Sequence, residues 1–292
     1  MDLPVPDFAL RPYARLPPHH RGRPVVSSTV DAFGRAHWLL RDRVRDGPYD
    51  ALVVTVEVGG GSYETALGEV RAQAGVIDAL PDGGFVVADT RCRRRQDHAQ
   101  VFDPSGRQTH SLRLGDEIGH FLADEEGTLW VGYCYEGVYG EDELSRAGLR
   151  RFSTTGSSLW ACTPVSDTRD VSDCYALNVS GSTAWASPYT DFALLEVCPG
   201  RPPRPRANPV RGADALAVHG AHVALFGGYG DDRDRLVVGT LTWDEVRPVS
   251  TGTLTCADGG PIGSRRVVSR GHLIYVQTRP FTEWSVFDLS EV

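Results

Sequence analysis

The sequence contains no lysine, so all 30 residues counted as Lys plus Arg are arginine. A phosphate-binding loop of the G-K-[ST] kind and Schiff-base catalysis both need a lysine amine, and neither can be built from this chain. Long apolar runs are missing too. None approaches the roughly 20 residues of a membrane-spanning helix. The opening stretch, MDLPVPDFALRPYARLPP, is too polar and proline-rich for a signal peptide, so a soluble cytoplasmic protein is expected. The six cysteines (Cys92, Cys134, Cys162, Cys174, Cys198, Cys256) form no C-x-x-C pair. That spacing indicates neither a disulfide framework nor a zinc knuckle, and free thiols are expected. G-x-S-x-G and H-E-x-x-H are absent, which removes the nucleophile-elbow and zincin chemistries. The net charge of -8 opposes the basic footprint of a nucleic-acid binder. Helical periodicity is nearly absent, and only Glu141 to Ala147 suggests a turn of helix.

What the chain does have is repetition. Ala74 to Gly106 reads as strand, tight turn, strand, loop, strand, turn: Val76 to Leu80, then Pro81-Asp82-Gly83-Gly84, then Phe85 to Ala88, then Gln100-Val101-Phe102 before Asp103-Pro104-Ser105-Gly106. Turn-strand pairs of the same kind align on Gly34, Gly83, Gly127, Gly181, Gly220 and Gly271. Their mean spacing, about 47 residues, is that of a four-stranded propeller blade. Trp38, Trp130 and Trp185 follow their glycines by three or four residues, a repeated packing position. A further strand follows in each cycle, the last at Trp284 to Leu289, so the sixth cycle lacks an outer strand and Asp7 to Leu16 is its natural donor. The expectation is one all-β domain, a six-bladed β-propeller of four-stranded antiparallel blades at about 25–72, 73–115, 116–165, 166–211, 212–258 and 259–292, the last joined by 5–16.

Val86-Val87-Ala88-Asp89-Thr90 followed by Ala99-Gln100-Val101-Phe102-Asp103-Pro104-Ser105-Gly106 resembles the NHL repeat, whose members form six-bladed propellers. ADEEGTLWVGY and LRRFSTTG carry a weaker version, and the insertion Arg91 to Asp97 departs from the short link usual there. DEEGTLWVGY is also similar in style to the gluconolactonase-like six-bladed enzymes, which bind a divalent metal through a Glu, two Asn and an Asp. That resemblance implies a divalent metal in the channel. Only Asn178 and Asn208 are available here, and Ile118-Gly119-His120 stands where those enzymes tend to have Pro-Asp-Gly.

In a propeller the loops after each second strand, and the starts of the innermost strands, gather on one face. By that rule the ligand-binding candidates are Arg41, Asp89, His120, Tyr133, Glu136, Tyr175, Tyr189 and Arg279, with Asp214 and the loop Gly228-Tyr229-Gly230-Asp231-Asp232 nearby. Arginine, tyrosine and carboxylate side chains of this kind hold anionic or hydroxylated ligands. Two function classes follow. One is a monomeric binding module for a small polar or anionic ligand or a partner protein. The alternative is a hydrolase or lyase with His120 as base or metal ligand, tuned by Asp89 or Glu136, with Tyr133, Tyr175 or Tyr189 as acid and Arg41 or Arg279 holding an anion. His219 and His222 flank a turn on the opposite face and read as a surface pair. Arg91, Arg93, Arg94 and Arg95, and Arg201, Arg204, Arg206 and Arg211, are basic runs able to grip phosphate that read first as solvated loops.

Overall fold

A computed structural model describes residues 7–41, 47–92, 96–163 and 171–292. Arg93 to Arg95 of the first basic run lie outside the described residues, as do residues 42–46, which follow Arg41. Two short strands open the chain, β1 (Asp7–Ala9) and β2 (Arg11–Arg15). The rest divides into two units, an N-terminal one holding Ala14–Thr163 and a C-terminal one holding Tyr175–Val292 together with residues 7–13.

Three antiparallel sheets make up the N-terminal unit. The first is β3 (Val25–Val30), β4 (Ala36–Arg41), β5 (Tyr49–Val56) and β6 (Ser62–Val70). The second is β7 (Gly75–Ala79), β8 (Phe85–Asp89), β9 (Ala99–Phe102) and β10 (Gln108–Leu112), and the third is β11 (Ile118–Ala123), β12 (Leu129–Tyr133), β13 (Leu149–Phe152) and β14 (Ser158–Ala161). Side chains alternate across a strand, and here both faces are apolar. In β8, Phe85 and Val87 enter a core shared with Leu39, Val53 and Ile77 of the neighbouring strands. Val86 and Ala88 enter a second core with Phe121, Leu129 and Phe152.

In the C-terminal unit the fourth sheet is β15 (Asp173–Ser180), β16 (Thr183–Tyr189), β17 (Leu194–Val197) and β18 (Arg204–Arg206). The fifth is β19 (Ala215–His219), β20 (His222–Phe226), β21 (Arg235–Leu241) and β22 (Val246–Thr255), and a sixth group, β23 (Arg265–Arg270), β24 (Leu273–Thr278) and β25 (Glu283–Asp288), is joined to the fourth in one eight-stranded sheet by a single parallel bridge between β15 and β23, Asn178 opposite Ser269. The same partition recurs: Val223 and Leu225 of β20 pack with Leu194 and Val237, and Ala224 and Phe226 with Ile274 and Phe287. The N-terminal strands serve two sheets rather than the one expected. β1 runs parallel to β22, with Phe8 opposite Leu254. β2 is the strand next to β25, where Tyr13 lies 4.8 Å from Tyr275. Leu10, buried in the core between the fifth and sixth sheets, makes the change of direction favourable.

All six aligned glycines take positive φ, from 53° to 90°, in the turn joining the first two strands of each sheet. Such turns favour glycine because a Cβ is crowded there. Buried aspartates lock two of them. Asp124 accepts from the backbone N–H of Glu126 and Thr128 (3.1 and 2.8 Å), from Trp130 Nε1 (3.1 Å), and from the Thr128 hydroxyl and Arg151. Asp31 does the same for Phe33 and Arg35, and its other oxygen meets His37 Nε2 at 3.0 Å, whose Nδ1 meets Thr55 Oγ1 at 2.9 Å. Trp38 and Trp130 are fully buried at the repeated packing position; Trp185 is half-buried under Arg206. The helical turn expected at Glu141 to Ala147 narrows to a 3-10 turn at Ser145–Ala147, and one α-helical turn forms at Tyr135–Val138. No helix among the described residues is long and apolar enough to cross a membrane, and all six cysteines are free.

Candidate functional site

The C-terminal unit brings three tyrosines from three different sheet positions together. Tyr175 is near the start of β15, Tyr189 ends β16, and Tyr229 sits in the loop after β20. Tyr175 and Tyr189 stack with ring centroids 6.0 Å apart; Tyr229 meets Tyr175 edge-on at 6.1 Å and donates a 2.9 Å hydrogen bond from its hydroxyl to that of Tyr175. Phe192 is the floor. It is buried, contacts all three rings within 6.4 Å, and holds a left-handed φ of 57° fixed by its N–H to Pro188 O. Non-glycine residues in that region cost energy and recur at functional sites. Tyr229 also lies over Gly212, whose φ is 73° and where a Cβ would stand 2.7 Å from Tyr229 Cε2. Arg211, exposed beside this glycine, holds its guanidinium 5.8 Å from the Phe192 ring and has no carboxylate partner among the described residues.

The neighbouring charges are internally satisfied. Arg265, nearly buried, bonds Asp214 Oδ2 at 3.0 Å and Asp234 Oδ1 at 2.6 Å. Burial pushes the Asp214 carboxyl up, and Arg265 opposes this. Arg279 lies 5.9 Å from the ring of Phe281, and Arg266, whose pKa burial lowers, covers the same ring at 4.4 Å. Of the proline-rich arginine run, Arg204 stacks on Trp243 at 3.6 Å and Arg206 bonds Glu196 at 2.8 Å, so both are structural. His219 and His222 face each other across their turn and are exposed.

In the N-terminal unit a cavity of about 460 Å³ is lined by Arg71, Asp89, Arg91, Cys92, Asp97 and His98. Asp89 accepts from the Gln73 N–H at 2.9 Å. His98 is buried, which lowers its pKa and favours the neutral ring. Its Nδ1 lies 3.2 Å from the Gln96 carbonyl and must donate there, which leaves Nε2 as an acceptor, buried and without a partner among the described residues. Arg41 covers the ring of Tyr49 at 5.5 Å; burial, with a smaller push from Asp89, raises the Tyr49 phenol to about 12 against the pull of Arg41.

The remaining expectations fare differently. Tyr133 is not at a face. It is fully buried, its hydroxyl donates to the Leu114 carbonyl, and burial raises its pKa strongly, so it has no proton to offer a ligand. The reason is parity, since Tyr133 shares a face of β12 with Leu129 and Val131. Glu136 is exposed on the short α-helix, and His120 is half-buried on β11 opposite Gly132. The implied divalent metal does not fit the asparagines. Asn178 is buried and spends both side-chain atoms on Leu216 O and on Gly271 N and O, while Asn208 spends its own on Phe192 O, Val210 O and Val210 N. Reading the sequence named the loop of Tyr229 without choosing that residue as a ligand contact; the structure sets its ring against Tyr175. It also passed over His98, which follows the basic run in the sequence.

No protein-family model and no curated protein matches this sequence. Solved structures do. Virginiamycin B lyase from Staphylococcus aureus aligns over 94% of this chain and 98% of its own, with a TM-score of 0.51 at 10% identity. The β-propeller domain of Cps50 (Swd1) from Myceliophteria thermophila aligns over 90% of this chain and 83% of its own, with a TM-score of 0.52 at 12% identity. At such identities the likeness is one of fold: the chain is an all-β protein of β-propeller type.

Proposed function

We propose that this chain is a six-bladed propeller, its sixth blade completed by β2, acting as a binding module that takes an anionic group at the tyrosine face of its C-terminal unit. The observation that carries the reading is Arg211, an exposed cation without a carboxylate partner among the described residues, beside three tyrosines brought together from separate strands. An arginine supplies charge-assisted hydrogen bonds to a carboxylate or phosphate, and the tyrosine rings supply flat, partly apolar walls with phenolic donors. A small sugar acid or aryl phosphate fits that chemistry. So does an acidic side chain of a partner protein, because Tyr and Arg are the residues most enriched in interface centres. Free thiols suit a reducing compartment, the cytoplasm.

A specific observation supports the hydrolase or lyase reading as well: the buried His98, held neutral, whose Nε2 acceptor has no partner among the described residues and which shares a cavity with Asp89. Binding is favoured because the thiol that lines the cavity, Cys92, is buried and spends its S–H on the Gln96 carbonyl. Titration calorimetry with glucuronate and phenyl phosphate tests the favoured reading. At least one should bind the wild type and lose at least about tenfold in affinity, roughly 1.4 kcal/mol, in Arg211→Gln and in Tyr229→Ala. Equal binding by the wild type and both variants overturns it.

A further inference from the structure

Among the described residues one cluster has metal-ligating chemistry, and none of its residues belongs to the tyrosine face or the His98 cavity. His19, His20 and Glu64 place three ligand atoms within 4.8 Å of one another. Both histidines belong to a 3-10 turn, Pro18–His20, that two prolines start. Pro17 and Pro18 restrict the backbone before folding, the His20 N–H closes the turn on Pro17 O at 3.0 Å, and buried Leu16 anchors it from below, with its carbonyl taken by Arg21 Nε. Glu64 comes from β6, the outermost strand of the first sheet, 44 residues further along.

We infer that His19, His20 and Glu64 bind a divalent transition-metal ion, zinc or a first-row neighbour, at the outer edge of the first sheet. Two imidazoles and one carboxylate are a donor set suited to zinc, with the fourth position left to water. Ligand atoms around a tetrahedral zinc stand roughly 3.3 Å apart, given bonds of about 2.0–2.2 Å. Glu64 Oε1 lies 2.8 Å from His20 Nε2 and 3.7 Å from His19 Nε2, values that bracket that separation. His20 is fixed by burial while His19 and Glu64 are exposed, which gives the ion a route in and two ligands free to close on it.

The test uses the full chain freed of any affinity tag, stripped with a chelator, then titrated with cobalt and, in competition with a chromophoric chelator, with zinc. One equivalent should bind, and cobalt should give the visible absorption of a tetrahedral site. Affinity should fall at least about tenfold in Glu64→Gln and in His19→Ala. Both residues are exposed, so these variants leave the fold intact where His20→Ala could disturb it. His219→Ala with His222→Ala should leave stoichiometry and affinity unchanged. Failure to bind either metal at tens of micromolar, or binding that Glu64→Gln does not weaken, means that the trio is only a hydrogen-bonded clasp and overturns the proposal.

Discussion

The tyrosine face depends on a glycine, and replacing it gives a sharp test. Gly212 and Gly220 both hold left-handed backbones, with φ of 73° and 57°, but a Cβ at Gly220 meets nothing within 4 Å, whereas one at Gly212 meets Tyr229 Cε2 at 2.7 Å and Cδ2 at 2.9 Å. Gly220→Ala therefore pays for backbone strain alone, about 1–2 kcal/mol, partly offset by about 0.4–1 kcal/mol from a stiffer unfolded chain. Gly212→Ala carries the same terms and must also displace the ring. Losing the 2.9 Å bond to the Tyr175 hydroxyl costs about 0.5–1.5 kcal/mol, and losing the edge contacts with Tyr175 and Phe192 costs about as much again. Because Tyr229 is 54% exposed, the lower half of that range applies. Gly212→Ala should thus be about 1–2 kcal/mol less stable than Gly220→Ala in urea unfolding. It alone should change the near-ultraviolet tyrosine circular dichroism. Equal stability losses, or an unchanged tyrosine signal, would refute the packing argument on which the site rests.

Other outcomes follow from buried groups. Asp124→Ala strands Trp130 Nε1 and Arg151 in the interior and should cost about 3–5 kcal/mol; Asp103→Ala, in a turn with the same backbone hydrogen bonds but solvated and joining β9 to β10, should cost far less, and similar urea midpoints for the two would count against the role of burial. Tyr133→Phe should lose about 1–3 kcal/mol, because the Leu114 carbonyl is left unpaired, while glucuronate and phenyl phosphate binding stays unchanged; weakened binding would return Tyr133 to the site. Burial alone would raise the Asp31 pKa, but the hydrogen bond and charge of His37, with Arg35, hold it below the ordinary value. Its contribution is therefore complete above about pH 4 and is lost as the pH falls through the lowered folded value, so thermal stability between pH 5 and 3 should fall less steeply in Asp31→Asn than in the wild type, and parallel slopes would contradict this.

How much of this was legible in the sequence depends on the range of the interaction. The strands and turns were readable because a turn needing positive φ advertises itself as glycine at a fixed spacing, and all six such positions behave alike. That periodicity set Tyr175 at the start of one strand and Tyr189 at the end of the next, and the two rings stack in the structure. Tyr133 was misplaced although the signal was present, since alternation in Leu129-Trp130-Val131-Gly132-Tyr133 puts it on the buried side. His98 could not be read, because what isolates its Nε2 is burial, which no local pattern encodes. The pairing of His20 with Glu64 spans 44 residues and is fixed only once the first sheet has formed.

The two-faced burial of β8 and β20 has a consequence for folding fidelity. A strand with one wet face reports a one-residue slip at once, because polar groups are driven inward. Phe85, Val86, Val87 and Ala88 are apolar on both sides, so a slipped β8 would exchange one greasy face for another and meet only a mismatch of volumes. The information that sets its alignment with β7 therefore resides in the turn at Gly83, which fixes how many residues separate the two strands. Lengthening that turn by a single residue should yield chains that remain rich in β-structure yet sample more than one pairing, a loss of uniqueness before a loss of secondary structure.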